Sequence, residues 1–94
     1  MSMYTIKSTS RFKRDYKALQ KSHYDLQLLE AVIDMLSEGK KLPEHYHDHK
    51  LEGDMVGFRE CHILNDWILI YKIDKKALVL VLSRTGDHSN LLRI

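Results

Sequence analysis

Two nearly continuous apolar runs in the C-terminal half constrain the fold most strongly. Residues 67–73 read WILIYKI, residues 77–82 read ALVLVL, and only the polar residues 74–76 separate them. Runs of this length are typical of strands, and apolar side chains on nearly all faces are typical of central strands covered on both sides. A three-residue joint has hairpin length. The runs therefore predict neighbouring antiparallel strands, with helices on one face and partial cover from the C-terminus on the other.

The N-terminal part predicts one strand and two helices. Residues 3–7 alternate between apolar and polar side chains, as a strand does. Phe12, Tyr16 and Leu19 then recur at i, i+4 and i+7, the stripe of an amphipathic helix. Asp25 is a candidate N-cap for a second helix, which ends at Gly39.

A loop-like stretch over residues 40–57 leads to a further strand at residues 58–63, joined to the apolar runs by a tight turn. The chain is therefore expected to form one α+β domain over residues 1–94, in the order β-α-α-β-β-β. The last three strands form an antiparallel meander, and the helices pack on one face of the sheet.

Charge is distributed unevenly along the chain. Residues 1–24 contain six basic side chains and one acidic one, whereas residues 25–60 contain four basic and nine acidic ones. A local cationic surface suits a polyanion such as RNA, although a solvated helix face has the same composition.

The sequence also suggests a cellular setting. We find no basic and apolar leader typical of a secretory signal, and no apolar run long enough to cross a bilayer. Cys61 is the single cysteine, so no internal disulfide forms. We expect a cytoplasmic protein without a membrane partner.

Polar residues gather where the predicted strands end. His62 and Asp66 flank one tight turn, and Trp67 follows it directly. Arg84 is expected to end the last strand, and His88 returns across the same edge of the sheet. The topology therefore predicts a cleft with a carboxylate, imidazoles and a guanidinium. Each residue also has an ordinary structural role available, such as an Arg84–Asp66 ion pair or a packed Trp67.

The segment EHYHDHKLEG contains three histidines at alternate positions, His45, His47 and His49. Together with Cys61 or Asp48 they are one candidate zinc site, but no paired cysteines or HExxH pattern fixes a ligand geometry. Exposed loop histidines are the simpler interpretation, and we expect neither a metal nor another cofactor.

The predicted set of side chains suits cleavage of RNA by its own 2′-hydroxyl. That reaction needs a base, an acid and a cation for the charged phosphorane. Histidine exchanges protons near neutral pH, and the arginine fork matches phosphate oxygens. The sequence shows no Ser-His-Asp pattern and no glycine-rich phosphate loop.

Four blocks identify a family resemblance: DHKLEG, GFRECHI, DWILIYK and RTGDHSNLL. In order and spacing they resemble the YafQ branch of the RelE-like toxins of bacterial type II toxin–antitoxin modules. The resemblance implies a ribosome-dependent endoribonuclease that cleaves mRNA in the ribosomal A site and is silenced by a cognate antitoxin.

The resemblance also implies roles for individual residues. Asp66 and His88 correspond to the proton-transfer pair, Arg84 to the phosphorane-stabilising cation, and His49 and His62 to residues that orient RNA or assist proton transfer. An aspartate is ordinarily ionised at neutral pH and accepts protons, which favours His88 as the acid.

Further positions are candidates for binding substrate. Trp67 is one, and Leu92 occupies the place where the family often has an aromatic that stacks on a base. Glu60 stands where the family often has an aspartate, on the opposite side of its strand from Cys61. Candidate contacts to ribosomal RNA lie on the first helix: Lys13, Arg14, Lys17 and Lys21.

The partners implied are a DinJ-type antitoxin, the 70S ribosome and mRNA, with operator DNA reached only through the antitoxin. The alternative is a RelE-like fold that has lost catalysis and serves only as an interaction module. That alternative predicts a broken set of histidine, aspartate and arginine residues.

Overall fold

The computed structural model describes residues 2–91. Its elements are β1 (Thr5–Ser8), α1 (Ser10–Gln20), α2 (Leu26–Ser37), β2 (His49–Lys50), β3 (Arg59–Leu64), β4 (Trp67–Asp74), β5 (Val79–Asp87) and the short helix α3 (His88–Leu91). The sheet has the order β1-β5-β4-β3-β2. The predicted α+β class and antiparallel meander β3-β4-β5 are confirmed.

One feature of the sheet was not predicted, and a second differs from the prediction. The first strand pairs in parallel with the last, Thr5 opposite Val79, so the sheet is mixed. Strand β5 does not stop near Arg84 but continues to Asp87, because Thr85 and Gly86 keep pairing with β4 beyond an irregularity in the register. As a result Arg84 lies opposite Ile70, several residues away from the turn that contains Asp66.

The two main helices start at the caps that the sequence provides. The Thr9 hydroxyl accepts a hydrogen bond from Phe12 N at 3.0 Å, and the Asp25 carboxylate accepts one from Gln27 N at 3.1 Å. Gly39, with a φ of 76°, follows the end of α2 in the left-handed conformation that glycine adopts without strain.

The two faces of the sheet have different partners. One face joins α1 and α2 in the main core, to which Phe12, Leu29, Leu69 and Leu80 contribute. Opposed residues in an antiparallel pair point to the same face. Cys61, opposite Leu69, therefore points toward the helices, whereas Glu60, opposite Ile70, points away from them.

The face away from the helices positions the site. Ile68 and Ile70 on β4 are fully buried there but lie outside the main core cluster. Leu91 of α3 packs close to Gly86, which confirms that the C-terminal segment covers part of this face. His88 N donates to the Asp66 carbonyl at 2.8 Å and so ties the start of α3 to the β3–β4 turn. No helix within residues 2–91 is long and apolar enough to span a membrane.

Candidate functional site

Three histidines from different elements surround one buried carboxylate on the face away from the helices. The Glu60 Oε1 atom lies 3.1 Å from His62 Nε2, 3.6 Å from His88 Nε2 and 3.8 Å from His49 Nε2. Glu60 is only 1% exposed, whereas the three imidazoles are partly open to solvent. The arrangement combines proton-transfer groups at the surface with one buried acceptor beneath them.

The strand registers explain why these side chains meet. His49 on β2 lies opposite Glu60 on β3, and His62 is two residues further along β3 on the same face. His88 comes from the start of α3, which the hydrogen bond to Asp66 fixes in place. Three separate parts of the chain, β2, β3 and α3, are therefore needed to form the cluster.

Glu60 is the central residue of this cluster, although no role was predicted for it. Alternation along β3 predicted that the Glu60 and Cys61 side chains point to different faces of the sheet, and this prediction is confirmed. The sequence could not show which face carries the histidines, so the placement of Glu60 beneath three rings required the structure.

His47 is a second residue that sequence reasoning left outside the site. Its ring centroid lies 5.6 Å from that of His62, in an edge-on arrangement. His45 instead packs against Tyr46, with ring centroids 4.1 Å apart. The histidine-rich segment thus divides, with His47 and His49 near the cluster and His45 stacked on its neighbour.

The predicted zinc alternative gains no support from this arrangement. Cys61 points toward the helices, away from the histidines, and burial raises the pKa of its thiol to about 12. Asp48 is engaged by Arg59. Within residues 2–91, no three histidine, cysteine, aspartate or glutamate side chains are placed to hold a metal ion.

Asp66 lies next to the histidine cluster, but its side chain lines a different depression. This pocket, of about 570 Å³, lies between the α1–α2 joint and the β3–β4 turn and also contains Tyr24, Trp67 and Asp87. The Asp66 carboxylate is exposed and forms no hydrogen bond with another residue in the 2–91 range. It is therefore available to accept a proton or hydrogen bond from a substrate.

Trp67 is placed in the core. It is 3% exposed, its indole N–H donates to the Thr85 hydroxyl at 3.0 Å, and the edge of its ring meets Tyr24 at 4.9 Å between centroids. This position favours packing over stacking on a base. Tyr24, which is 38% exposed, presents the more accessible aromatic ring of the pair. Leu92 lies outside the described residues.

Arg84 is held by an acidic partner from α1, not by Asp66. Its Nε and Nη2 atoms donate to the Asp15 carboxylate at 2.8 and 3.0 Å, and Thr85 N donates to the same carboxylate at 3.2 Å. The hydrogen bonds with Asp15 raise the pKa of the guanidinium, which therefore stays charged. Arg84 shares a shallow depression with Arg11 and Arg14.

Arg84 and Glu60 nevertheless belong to one row across the sheet. Glu60 lies opposite Ile70 and Ile70 lies opposite Arg84, at the point where the register between β4 and β5 becomes irregular. Strands are spaced by about 4.8 Å, which separates the two backbones by roughly 10 Å. The Arg84 guanidinium is directed at Asp15 on α1, so it stands apart from the carboxylate–imidazole cluster.

The basic residues of α1 are all exposed but divide between two surfaces. Arg11 and Arg14 point toward Arg84, whereas Lys13 and Lys17 line a groove against Glu30 and Asp34 of α2. Lys21 follows the helix as its C-cap. The expected single cationic surface is therefore two adjoining ones.

Comparison with known proteins fits this architecture. The model of the family described as "Bacterial toxin of type II toxin-antitoxin system, YafQ" matches residues 4–93. The mRNA interferase toxin YafQ of Escherichia coli strain K12 is 38% identical over 87 residues, which are 92% of each chain.

Solved structures agree with the sequence match. A metal-bound toxin from Helicobacter pylori is 41% identical, with a TM-score of 0.89 over 96% of this chain and 100% of that one. YafQ in the E. coli DinJ–YafQ toxin–antitoxin complex is 35% identical, with a TM-score of 0.87 over 96% and 98% of the two chains. The chain belongs to the YafQ family of bacterial toxins of type II toxin–antitoxin systems.

Proposed function

We propose that this chain is an mRNA interferase, an endoribonuclease that cleaves mRNA in the A site of the translating ribosome. The observation that carries the proposal is the gathering of His49, His62 and His88 around the buried Glu60 carboxylate. Such a group supplies proton donors and acceptors at an open surface, as transfer of a phosphoryl group to an RNA hydroxyl requires.

The reaction proposed is an internal transesterification. The 2′-hydroxyl oxygen attacks the adjacent phosphorus while a base removes its proton, and the bond to the 5′-oxygen breaks as an acid protonates that oxygen. The products are a 2′,3′-cyclic phosphate and a 5′-hydroxyl. We assign proton acceptance to Asp66, whose exposed carboxylate forms no bond within the described residues, and proton donation to His88.

His49 and His62 are assigned to orientation of the RNA and assistance of proton transfer. Beneath them, the Glu60 carboxylate balances positive charge on the rings and lies within hydrogen-bond distance of His62. It keeps several imidazoles together that would otherwise repel one another when protonated.

We assign to Arg84 the stabilisation of the negative charge that develops on the phosphorane. A guanidinium can pair with two phosphate oxygens as it now pairs with the Asp15 carboxylate, so RNA binding exchanges one anion for another. Arg11 and Arg14, beside Arg84, extend this cationic surface for neighbouring phosphates.

The ribosome is the proposed site of action. The exposed side chains of Lys13, Arg14, Lys17 and Lys21 are assigned to contacts with ribosomal RNA, where each neutralised phosphate adds affinity that salt weakens. Action on translating ribosomes locates the protein in the cytoplasm.

A cognate antitoxin is the proposed regulator. The E. coli relative forms a complex with DinJ, and we extend a DinJ-type partner to this chain because the two toxins share fold and sequence over nearly their whole lengths. Binding to operator DNA would then run through the antitoxin alone.

The deciding experiment maps 5′ ends of cellular mRNA after induction without antitoxin. We expect wild type to generate in-frame cuts that require translation, and His88→Ala to generate none. His45→Ala is the matched control, because His45 packs on Tyr46 outside the cluster and should leave cutting unchanged.

Equal cutting by wild type and His88→Ala would refute the assigned chemistry. Antitoxin binding without any cutting by wild type would favour the alternative, an interaction module without catalysis.

A further inference from the structure

The segment that carries His47 and His49 is attached to the sheet through the residue between them. His47 has a φ of 50°, and from there the chain runs into the two-residue strand β2. His47 and His49 lie near His62, with ring centroids 5.6 and 6.4 Å from it. Asp48 points the other way, toward β3 and β4, as expected for successive residues of an extended segment.

The Asp48 carboxylate is held by two donors on neighbouring strands. Arg59 donates through Nη2 at 2.9 Å and Nε at 3.3 Å, and the Tyr71 hydroxyl donates to Oδ1. Arg59 and Tyr71 lie opposite each other on β3 and β4, so the two donors are part of one rigid pair of strands. We call Asp48, Arg59 and Tyr71 the aspartate clamp.

Tyr71 and Arg59, the two donors of the clamp, keep their protons. Burial, followed by the hydrogen bond to Asp48, raises the pKa of Tyr71, so the hydroxyl remains a donor. The hydrogen bond to Asp48 also raises the pKa of Arg59, which remains charged. Tyr71 is 1% exposed, so bulk water does not compete for its side of the clamp.

A second hydrogen bond orients the His49 ring relative to the backbone that the clamp holds. His49 Nδ1 lies 2.7 Å from the His47 carbonyl oxygen. A carbonyl only accepts, so Nδ1 is the donor, and the bond fixes both the ring orientation and the proton on Nδ1. Nε2 is then the atom directed at Glu60, 3.8 Å away.

Apart from the clamp, few interactions hold this segment. Strand β2 pairs with β3 over only two residues, His49 with Glu60 and Lys50 with Arg59. A strand of two residues has little pairing of its own to resist displacement. The carboxylate between the histidines is therefore a side-chain attachment of the segment at the histidines themselves, in addition to Tyr46, which packs against the main core.

We propose that Asp48 is a positioning residue for the reaction, acting through His49. The clamp holds the backbone at residues 47–49 so that the His49 ring faces Glu60 and His62 with a defined proton position. This inference rests on the proposed function, because it concerns the rate at which the same site cleaves RNA.

The test measures single-turnover cleavage on programmed ribosomes with the full-length chain. Asp48→Asn keeps the size of the side chain but removes its charge. We expect the cleavage rate to fall by about 10- to 100-fold, as for loss of a group that orients a reacting side chain, with ribosome affinity unchanged. The matched control is Asp54→Asn, an exposed aspartate in the same loop region, which should cleave at the wild-type rate.

A double-mutant cycle separates positioning from general damage. If Asp48 acts through His49, adding Asp48→Asn to His49→Ala should cause no further loss of rate. Nitrogen NMR of the rings should also show His49 losing its fixed Nδ1–H form in Asp48→Asn, whereas the His45 signals stay unchanged. Independent, multiplying losses of rate would overturn the proposal.

Tyr71→Phe provides the test if Asp48→Asn does not fold. It keeps the buried ring and removes one of the donors to Asp48, so we expect a smaller loss of rate, with affinity again unchanged. Wild-type cleavage by either folded variant overturns the inference. In that case loss of cleavage in His88→Ala would show that the proposed function stands, whereas retained cleavage in His88→Ala would refute the function itself.

Discussion

A buried hydrogen-bond chain between β4 and β5 allows a quantitative test of how Trp67 is used. The Trp67 indole N–H donates to the Thr85 hydroxyl at 3.0 Å, and that hydroxyl donates to the Ile68 carbonyl at 2.9 Å. Thr85 is 1% exposed, so water cannot replace a lost partner. Thr85→Val keeps the shape of the side chain but removes both the acceptor and the donor.

The expected cost follows from the groups left without partners. A buried indole N–H without an acceptor costs about 1–3 kcal/mol, and the lost bond to the carbonyl costs about 1 kcal/mol more. The methyl group of valine returns roughly 0.8 kcal/mol of burial. We therefore expect the free energy of unfolding to fall by about 2 kcal/mol, which lowers the Tm of a domain of this size by roughly 8–16 °C.

The assay is urea and thermal unfolding, followed by circular dichroism and by the fluorescence of the single tryptophan. Thr85→Ser is the control that keeps the hydroxyl and should lose about 1 kcal/mol, the value of one methyl group. In a Trp67→Phe background Thr85→Val should cost at least about 1 kcal/mol less, because the indole donor is gone. A cost below about 0.5 kcal/mol in the wild-type background would refute the reasoning. If Trp67 packs and does not stack on RNA, folded Trp67→Phe should still cleave.

Three further outcomes follow from the site and its surroundings. Glu60→Gln should slow cleavage by about 10²-fold, as single-turnover rates would show. It should change the free energy of unfolding, measured in urea, by less than about 1 kcal/mol, because the loss of the charge interaction with the imidazoles is offset by the lower cost of burying a neutral amide. Asp15→Asn should destabilise the fold by about 1–2 kcal/mol through loss of the Arg84 hydrogen bonds, yet leave cleavage intact, whereas Arg84→Ala should abolish it. Burial raises the pKa of the Cys61 thiol to about 12 from an ordinary value near 9, so the folded state favours the neutral thiol. The contribution of this thiol to stability is therefore complete below pH 9 and is lost between pH 9 and 12. The free energy of unfolding of wild type should therefore decrease more steeply over that range than that of Cys61→Ala, and equal slopes would contradict the assignment.

The sequence predicted those parts of the fold that depend on local chemistry. The cap at Asp25 formed as expected, because a side-chain oxygen satisfies free N–H groups whatever the rest of the chain does. The apolar content of β4 identified a central strand before its neighbours were known. The motif resemblance predicted the family, and the comparisons confirm it.

Interactions between distant residues could not be predicted in the same way. The Arg84–Asp15 pair joins residues 69 positions apart, and no local pattern marks two such residues as partners. Alternation predicted that Glu60 and Cys61 point to different faces. The face that carries the histidines, however, depends on the pairing of β2 with β3 and on the hydrogen bond that holds the start of α3. The roles assigned to Asp66, His88 and the other site residues remain predictions that the experiments above test.

The parallel pairing of the first and last strands has a consequence for how the protein is made. Thr5 on β1 pairs with Val79 on β5, so β1 completes its pairing only after the much later β5 has been synthesised. Contacts between residues so far apart in the chain form late, after the loop between them has closed. His88 follows β5 directly, and the histidine cluster is incomplete without it. A nascent chain therefore lacks the assembled cluster until His88 has been synthesised.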